Sequence, residues 1–182
     1  MSGEGLFPLP AVTVGRTAAI STDNVYRYWL NREWGEGEGR IGDGATFVML
    51  NPSTADAEND DPTIRRCIGF AKSWGCVRLR VVNLYAYRAT KPEAMFNARH
   101  EVGIDIVGPD NDMWVTHALR VTAGPVVAAW GANAQPDRVA EVMALPGAAR
   151  MQVLGLTKAG APRHPLYMPA ASTLTPYRKA RS

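Results

Sequence analysis

The chain has 182 residues, of which 46% are hydrophobic and 20% are charged, and its formal net charge is +3. These values are typical of one globular domain and exclude a disordered chain or a collagen-like repeat. No apolar run approaches the roughly 20 residues that a membrane span requires, and the first 25 residues lack the pattern of a secretory signal. Cys67 and Cys76 are too few for a disulfide framework, so we expect a reduced, cytoplasmic protein that does not enter a membrane.

Hydrophobic periodicity and Gly/Pro punctuation predict alternating strands and helices. An irregular lead-in covers residues 1–24 and is followed by an edge strand at 24–30 and a glycine-rich turn at 34–44. The apolar strands are predicted at 46–50, 77–84, 126–130 and 151–156. The helices are predicted from Asp61-Pro62 to Gly75, from a capping box at 90–93, from about Pro109-Asp110 to Val121, and from Pro136 to Leu145.

This order predicts a single α/β domain over residues 1–182, folded as a three-layer sandwich with a mostly parallel four-stranded central sheet. A basic tail at 170–182 ends in Arg178, Lys179 and Arg181, a cluster typical of a solvated terminus.

Polar segments follow the four predicted strands, at 51–56, 83–88, 130–135 and 155–167. Ligands of open parallel sheets bind beyond the carboxyl ends of the strands, so these segments are expected to form one site. The sequence has no GxxxxGK[ST] phosphate loop, no GxGxxG after a strand, no GxSxG elbow, and no HExxH or paired CxxC metal motif. The three histidines also lack metal-ligand spacing, and we expect neither a metal nor a cofactor.

The four segments resemble, in order and position, motifs of the uracil-DNA glycosylase superfamily. Leu50-Asn51-Pro52-Ser53 is similar to its water-positioning motif, and the strand at 79–83 resembles the one that ends in a base-reading asparagine. The Trp-Gly segment at 129–135 and the His-Pro segment at 164–166 resemble its other two motifs. The resemblance spans about residues 46–168 and implies a glycosylase-like fold that acts on an N-glycosidic bond.

By this resemblance, Asn51 would position a water, Asn83 would bind the base edge and His164 would donate a hydrogen bond to the departing base. Asp56 and Asp61 are alternative water activators, since a carboxylate is a better base than an amide. Tyr85 or Phe70 would stack on the base. The remaining candidate binding residues are Pro52, Ser53, Arg88, Trp130, Gly131, Lys158 and Arg163.

A closer resemblance is to a bacterial and phage family described only as a domain of unknown function. The shared features are Tyr26-Arg27-Tyr28-Trp29-Leu30, the Leu-Asn-Pro-Ser-x-Ala-Asp segment at 50–56, Asp-Pro-Thr at 61–63, Trp-Gly at 74–75 and Gly-x-Pro-x-His-Pro at 160–165. The segment after His164-Pro165 departs from the serine-bearing glycosylase loop, so a free base, nucleoside or nucleotide is as plausible a partner as single-stranded or duplex DNA. A non-catalytic binding module and a nucleotide-modifying enzyme stay open as alternatives, and the sequence gives no oligomeric state.

Overall fold

The structure is a computed structural model of the chain and describes residues 15–34 and 44–177. These residues form one mixed sheet of seven strands. In chain order the strands are β1 (Thr17–Ile20), β2 (Arg27–Glu33), β3 (Gly44–Met49), β4 (Arg78–Asn83), β5 (Val126–Ala128), β6 (Gln152–Val153) and β7 (Thr175–Pro176). Their spatial order is β1-β2-β4-β3-β5-β6-β7.

The centre of the sheet consists of β4, β3, β5 and β6, which run parallel to one another. These four strands correspond to the four predicted apolar runs. A strand that is covered on both faces of a sheet needs apolar side chains on both faces. The prediction of a four-stranded, mostly parallel sheet is nevertheless wrong for the complete sheet. β1, β2 and β7 add antiparallel pairs at its two edges.

Two of these additional strands lie in segments that were predicted to be irregular or a tail. β1 falls within the lead-in and pairs with β2, and β7 falls within the basic tail and pairs with β6. β2 was predicted as an edge strand, but it lies between β1 and β4. Several of its polar side chains are buried, and one of them, Arg32, forms an ion pair with Asp60 at 2.7 Å. The terminal basic cluster and residues 35–43 of the glycine-rich turn lie outside the described residues.

Four helices cover the described part of the sheet: α1 (Pro62–Ser73), α2 (Pro92–Val102), α3 (Asn111–Val121) and α4 (Pro136–Met143). Asp61 caps α1 as predicted, since its Oδ1 accepts the Ile64 N–H at 2.8 Å. Gly75 follows that helix in the left-handed region, with φ +73°. The predicted capping box of α2 does not form, because Lys91 rather than Thr90 occupies the N-cap and makes no side-chain cap bond.

The helices lie on both faces of the sheet, which gives the three layers that were predicted. α1 packs on one face through Ile64, Cys67 and Phe70. On the other face α3 and α4 pack their own apolar side chains, among them Leu119 and Val142. Within residues 15–34 and 44–177, none of the helices has the length and apolar character needed to cross a membrane.

The antiparallel direction of β2 places its start beside the carboxyl end of β4. Leu30 pairs with Val81, and the Arg27 N–H donates to the Ala86 carbonyl at 2.9 Å, just beyond β4. Arg27 is therefore brought to the same end of the sheet as the residues that follow the parallel strands.

Candidate functional site

A cavity of about 760 Å³ lies at the carboxyl ends of the central parallel strands. This volume falls within the range of about 300–1,000 Å³ that is typical of small-molecule sites. Eight of the sequence-predicted site residues line it: Asn51, Ser53, Asp61, Asn83, Trp130, Gly131, Arg163 and His164. Pro52, Asp56, Tyr85, Arg88 and Lys158 do not line it.

Asn83 presents a buried, unpaired amide to this cavity. It is the last residue of β4 and only 1% exposed, and among the described residues neither its Nδ2 nor its Oδ1 has a hydrogen-bond partner. Leaving a buried polar group unpaired costs about 1–3 kcal/mol. The side chain is thus a donor and an acceptor side by side that a ligand can satisfy.

Asn111 fixes the backbone at which Asn83 sits. Its Nδ2 donates to the carbonyls of Asn83 and Leu84 at 2.9 and 3.0 Å, and the side chain is fully buried at the start of α3. These bonds satisfy carbonyls where β4 ends. Sequence reasoning missed Asn111, because a polar residue at the first position of a helix is common and gives no functional signal.

Asn51 offers the cavity a carbonyl oxygen. Its Nδ2 donates to the Ala89 carbonyl at 2.8 Å and to the Pro52 carbonyl at 3.1 Å, so both amide hydrogens are used. Because the two partners are acceptors, the orientation of the amide is fixed, and Oδ1 remains for a ligand or a water. Pro52 itself is buried, and its carbonyl accepts from Asn51 and from the Ala89 N–H.

His164 faces the cavity as a neutral imidazole. Burial lowers the pKa of His164 below its usual 6.5, and the nearby Asp61 raises it in part. Its Nδ1 accepts the Leu166 N–H at 3.3 Å, at the start of a short 3-10 helix (Pro165–Tyr167). The hydrogen of the neutral ring is therefore on Nε2, which is available to donate to a ligand.

The carboxylate of the cavity belongs to Asp61, and Asp56 is positioned elsewhere. Asp56 accepts the N–H groups of Glu58 and Asn59 at 2.9 and 2.8 Å, so it closes a turn. These backbone hydrogen bonds, led by that of Asn59, lower the pKa of Asp56, which makes it a weaker base. The expectation that Asp56 faces the ligand is not met, whereas the alternative, Asp61, lines the cavity while it caps α1.

Arg27 contributes a positive charge to the cavity lining, and it was not among the site residues predicted from the sequence. It is 3% exposed, and its Nη1 donates to the Ala55 carbonyl at 2.7 Å. Burial lowers the pKa of Arg27 to about 10, although Asp61 raises it in part. The sequence signal was weak, because an arginine in a strand of loosely alternating polarity suggests exposure at an edge.

Tyr167 is the exposed aromatic residue at the cavity, with 78% of its surface accessible. Its ring lies 5.9 Å from that of His164. The predicted stacking residues lie elsewhere: Tyr85 packs edge-on against Phe96, and Phe70 stacks on Trp74 within the core. Both are buried away from the cavity, because apolar contacts with the helices outcompete the strand-end position that suggested them.

Trp130 and Gly131 form the cavity wall beyond β5. Trp130 is buried and packs edge-on against Tyr177. Gly131 has φ +76°, and its N–H donates to the Pro162 carbonyl at 2.9 Å, so this turn holds the segment that carries His164.

Of the three cationic candidates Arg88, Lys158 and Arg163, Arg163 alone lines the cavity. It is exposed, and its Nε donates to the Leu156 carbonyl at 3.1 Å. Arg88 instead donates to the Asn24 side chain, and Lys158 lies in an exposed turn outside the cavity. Among the described residues no group of three or more His, Cys, Asp or Glu side chains is arranged to hold a metal ion.

The sequence model of a family described as "Protein of unknown function (DUF1643)" matches residues 27–166, which include Arg27 and His164. No curated protein and no solved structure matches the chain.

Proposed function

The chain belongs to the DUF1643 family, whose function is not known, and we propose that it binds a nucleobase or nucleotide in the strand-end cavity and hydrolyses its N-glycosidic bond. The observation that carries the proposal is the unpaired amide of Asn83. A side-chain amide pairs through its adjacent donor and acceptor with the edge of a base, as asparagine does in nucleic-acid recognition.

Asn51 and His164 supply the complementary chemistry. Water held by the Asn51 Oδ1 adds to C1′ of the sugar, and the bonding electrons of the broken C–N bond pass to the departing base. The Nε2–H of His164 donates a hydrogen bond to the negative charge that develops on the base. The proton released by the water goes to Asp61 or to solvent, and the base anion takes a proton from solvent. The products are the neutral base and the sugar with a hydroxyl on C1′, which keeps any phosphate that the substrate carried.

The resemblance of residues 46–168 to the uracil-DNA glycosylase superfamily supports the same assignment. Its four motifs contribute Asn51, Asn83, Trp130 and His164, and all four of these residues line one cavity. The convergence of distant segments on one volume is what a shared ligand would require.

A second candidate is binding of the same ligand without hydrolysis. It is favoured by the position of Asp56, because this carboxylate, three residues after the Asn-Pro-Ser segment, closes a turn and does not line the cavity. The carboxylate that does line the cavity, Asp61, already uses one oxygen to cap α1.

The test is release of base from single-stranded and duplex oligonucleotides, nucleosides and nucleotides that carry uracil or modified pyrimidines. We expect the variants Asn51→Ala and His164→Ala to slow release by about 100-fold or more, as expected for loss of a positioned catalytic group. Asn97→Ala and His100→Ala, both on the exposed side of α2, are matched controls and should retain full activity.

If the wild type is inert across the panel but binds a nucleoside or nucleotide in the cavity, the second candidate is correct. If it neither binds nor hydrolyses any member, the proposal is wrong.

A further inference from the structure

Arg27 differs from three other buried arginines of this fold, each of which forms an ion pair with a carboxylate. Arg32 pairs with Asp60 at 2.7 Å, Arg78 with Glu33 at 2.6 Å, and Arg138 with Glu141 at 2.9 Å, and all three are buried. Arg27 is buried as deeply, but among the described residues no carboxylate lies within 4.0 Å of it. Buried charges are normally paired, because an unpaired ion loses its hydration without compensation.

Arg27 lines the cavity and still has a hydrogen-bond donor without a partner among the described residues. Its Nη1 holds the Ala55 carbonyl, but its Nε has no partner among the described residues. A guanidinium has five N–H donors in a planar fork, which matches the oxygens of a phosphate. The lowered pKa of Arg27 agrees with a cation whose loss of hydration is compensated only in part by the charge of Asp61.

The surroundings of Arg27 add further positive potential. The first turn of α1 lines the cavity at Pro62, Thr63 and Ile64. Pro62 has no N–H and the Ile64 N–H is bonded to Asp61, so the Thr63 N–H is the donor that this turn offers a ligand. Arg163 lines the same cavity. Asp61 opposes these charges, but one of its oxygens is bound to the Ile64 N–H.

We propose that Arg27 binds a phosphate group of the ligand, so that the substrate is a nucleotide rather than a free base or a nucleoside. This inference rests on the proposed nucleobase site and names its substrate class. The phosphate is either the monoester of a mononucleotide or an internal diester of a single strand, since both present two oxygens to the fork.

The first experiment measures binding calorimetrically for deoxyuridine, thymidine, deoxycytidine and deoxyadenosine, their 5′-monophosphates and the matching single-stranded trinucleotides. We expect a monophosphate to bind at least about tenfold more tightly than its nucleoside, as expected for a charge-assisted hydrogen bond. In Arg27→Met this advantage should disappear, whereas Arg27→Lys should keep part of it because the charge remains. Arg99→Met, on the exposed side of α2, is the matched control and should bind like the wild type.

A trinucleotide that binds more tightly than the monophosphate identifies the source of the phosphate as a single strand, and the reverse order identifies a mononucleotide. If a nucleoside and its monophosphate bind wild type equally, the phosphate inference fails and the nucleobase site stands.

The second experiment does not depend on a folded variant or on the correct base. The Nε–H resonance of Arg27 is followed in ¹⁵N-labelled wild type during titration with inorganic phosphate, with sodium chloride at equal ionic strength as control. A saturable shift with phosphate alone is expected, because Nε gains a partner. If the resonance is unmoved, Arg27 is not an anion site. If it moves but no nucleoside or nucleotide binds, the anion site stands and the nucleobase proposal fails.

Discussion

Replacing Asn83 by leucine should stabilise the protein. The two side chains have the same number of heavy atoms and the same branching, so the substitution exchanges two unpaired buried polar atoms for methyl groups with little change in shape. Relief of an unpaired buried amide is worth about 1–3 kcal/mol. For a domain of this length, each kcal/mol shifts the melting temperature by about 2–4 °C, so we expect a rise of about 2–12 °C.

The matched control is Asn111→Leu, which should have the opposite effect. Asn111 is equally buried, but its Nδ2 satisfies the carbonyls of Asn83 and Leu84. Its own Oδ1 has no partner among the described residues, so the loss is partly offset, and we expect a net destabilisation of about 1–3 kcal/mol.

Urea unfolding and calorimetry on the two variants and the wild type measure both effects. Asn83→Leu should also abolish nucleotide binding, because the donor and acceptor pair is lost. If Asn83→Leu lowers the free energy of unfolding by as much as Asn111→Leu does, the Asn83 amide is satisfied in the folded protein and the reasoning is refuted.

Three further predictions concern other parts of the fold. Burial lowers the pKa of His164, so the unfolded chain takes up the proton first, and the fold loses stability as the pH falls from 6.5 through the folded pKa. His164→Gln should therefore lose less of its melting temperature than wild type between about pH 7.5 and about pH 5, and equal losses would contradict the assignment. Gly124→Ala would place a Cβ 2.5 Å from the Gly44 carbonyl oxygen, so urea unfolding should show a loss of about 1–3 kcal/mol, which an unchanged midpoint would disprove. Asp56→Ala should lower the urea midpoint, because the turn loses the hydrogen bonds from the N–H groups of Glu58 and Asn59. Nucleotide binding should be unchanged, and weakened binding would show that Asp56 is part of the site.

The central layer of the fold could be predicted because it is encoded locally. The runs at 46–50 and 126–130 are almost entirely apolar, and an Asp-Pro pair marks the start of α1. β1 and β7 have four and two residues, which is too short for a recognisable period, and both owe their existence to pairing with a neighbour.

The site residues that follow the ends of parallel strands were predicted from the sequence. The site residue that an antiparallel strand contributes, Arg27, was missed. Asn51, Asn83 and His164 stand directly after apolar strands or in the last connecting segment, so topology alone brings them together. Arg27 enters from an antiparallel strand, and its strand resembled an exposed edge because the partners of its polar side chains are far along the chain. Tyr85 also follows a strand, yet its ring turns into the core against Phe96.

The cavity walls extend along the chain from Arg27 to Tyr167, so they assemble only after distant segments have closed into one sheet. Contacts between residues far apart in the chain require the closure of long loops, which is entropically costly and slows folding. A ligand that binds here recognises the completed fold and not the unfolded chain, so by mass action it stabilises the whole protein. Cellular levels of the natural ligand would then govern how long each molecule persists, as well as whether its site is occupied.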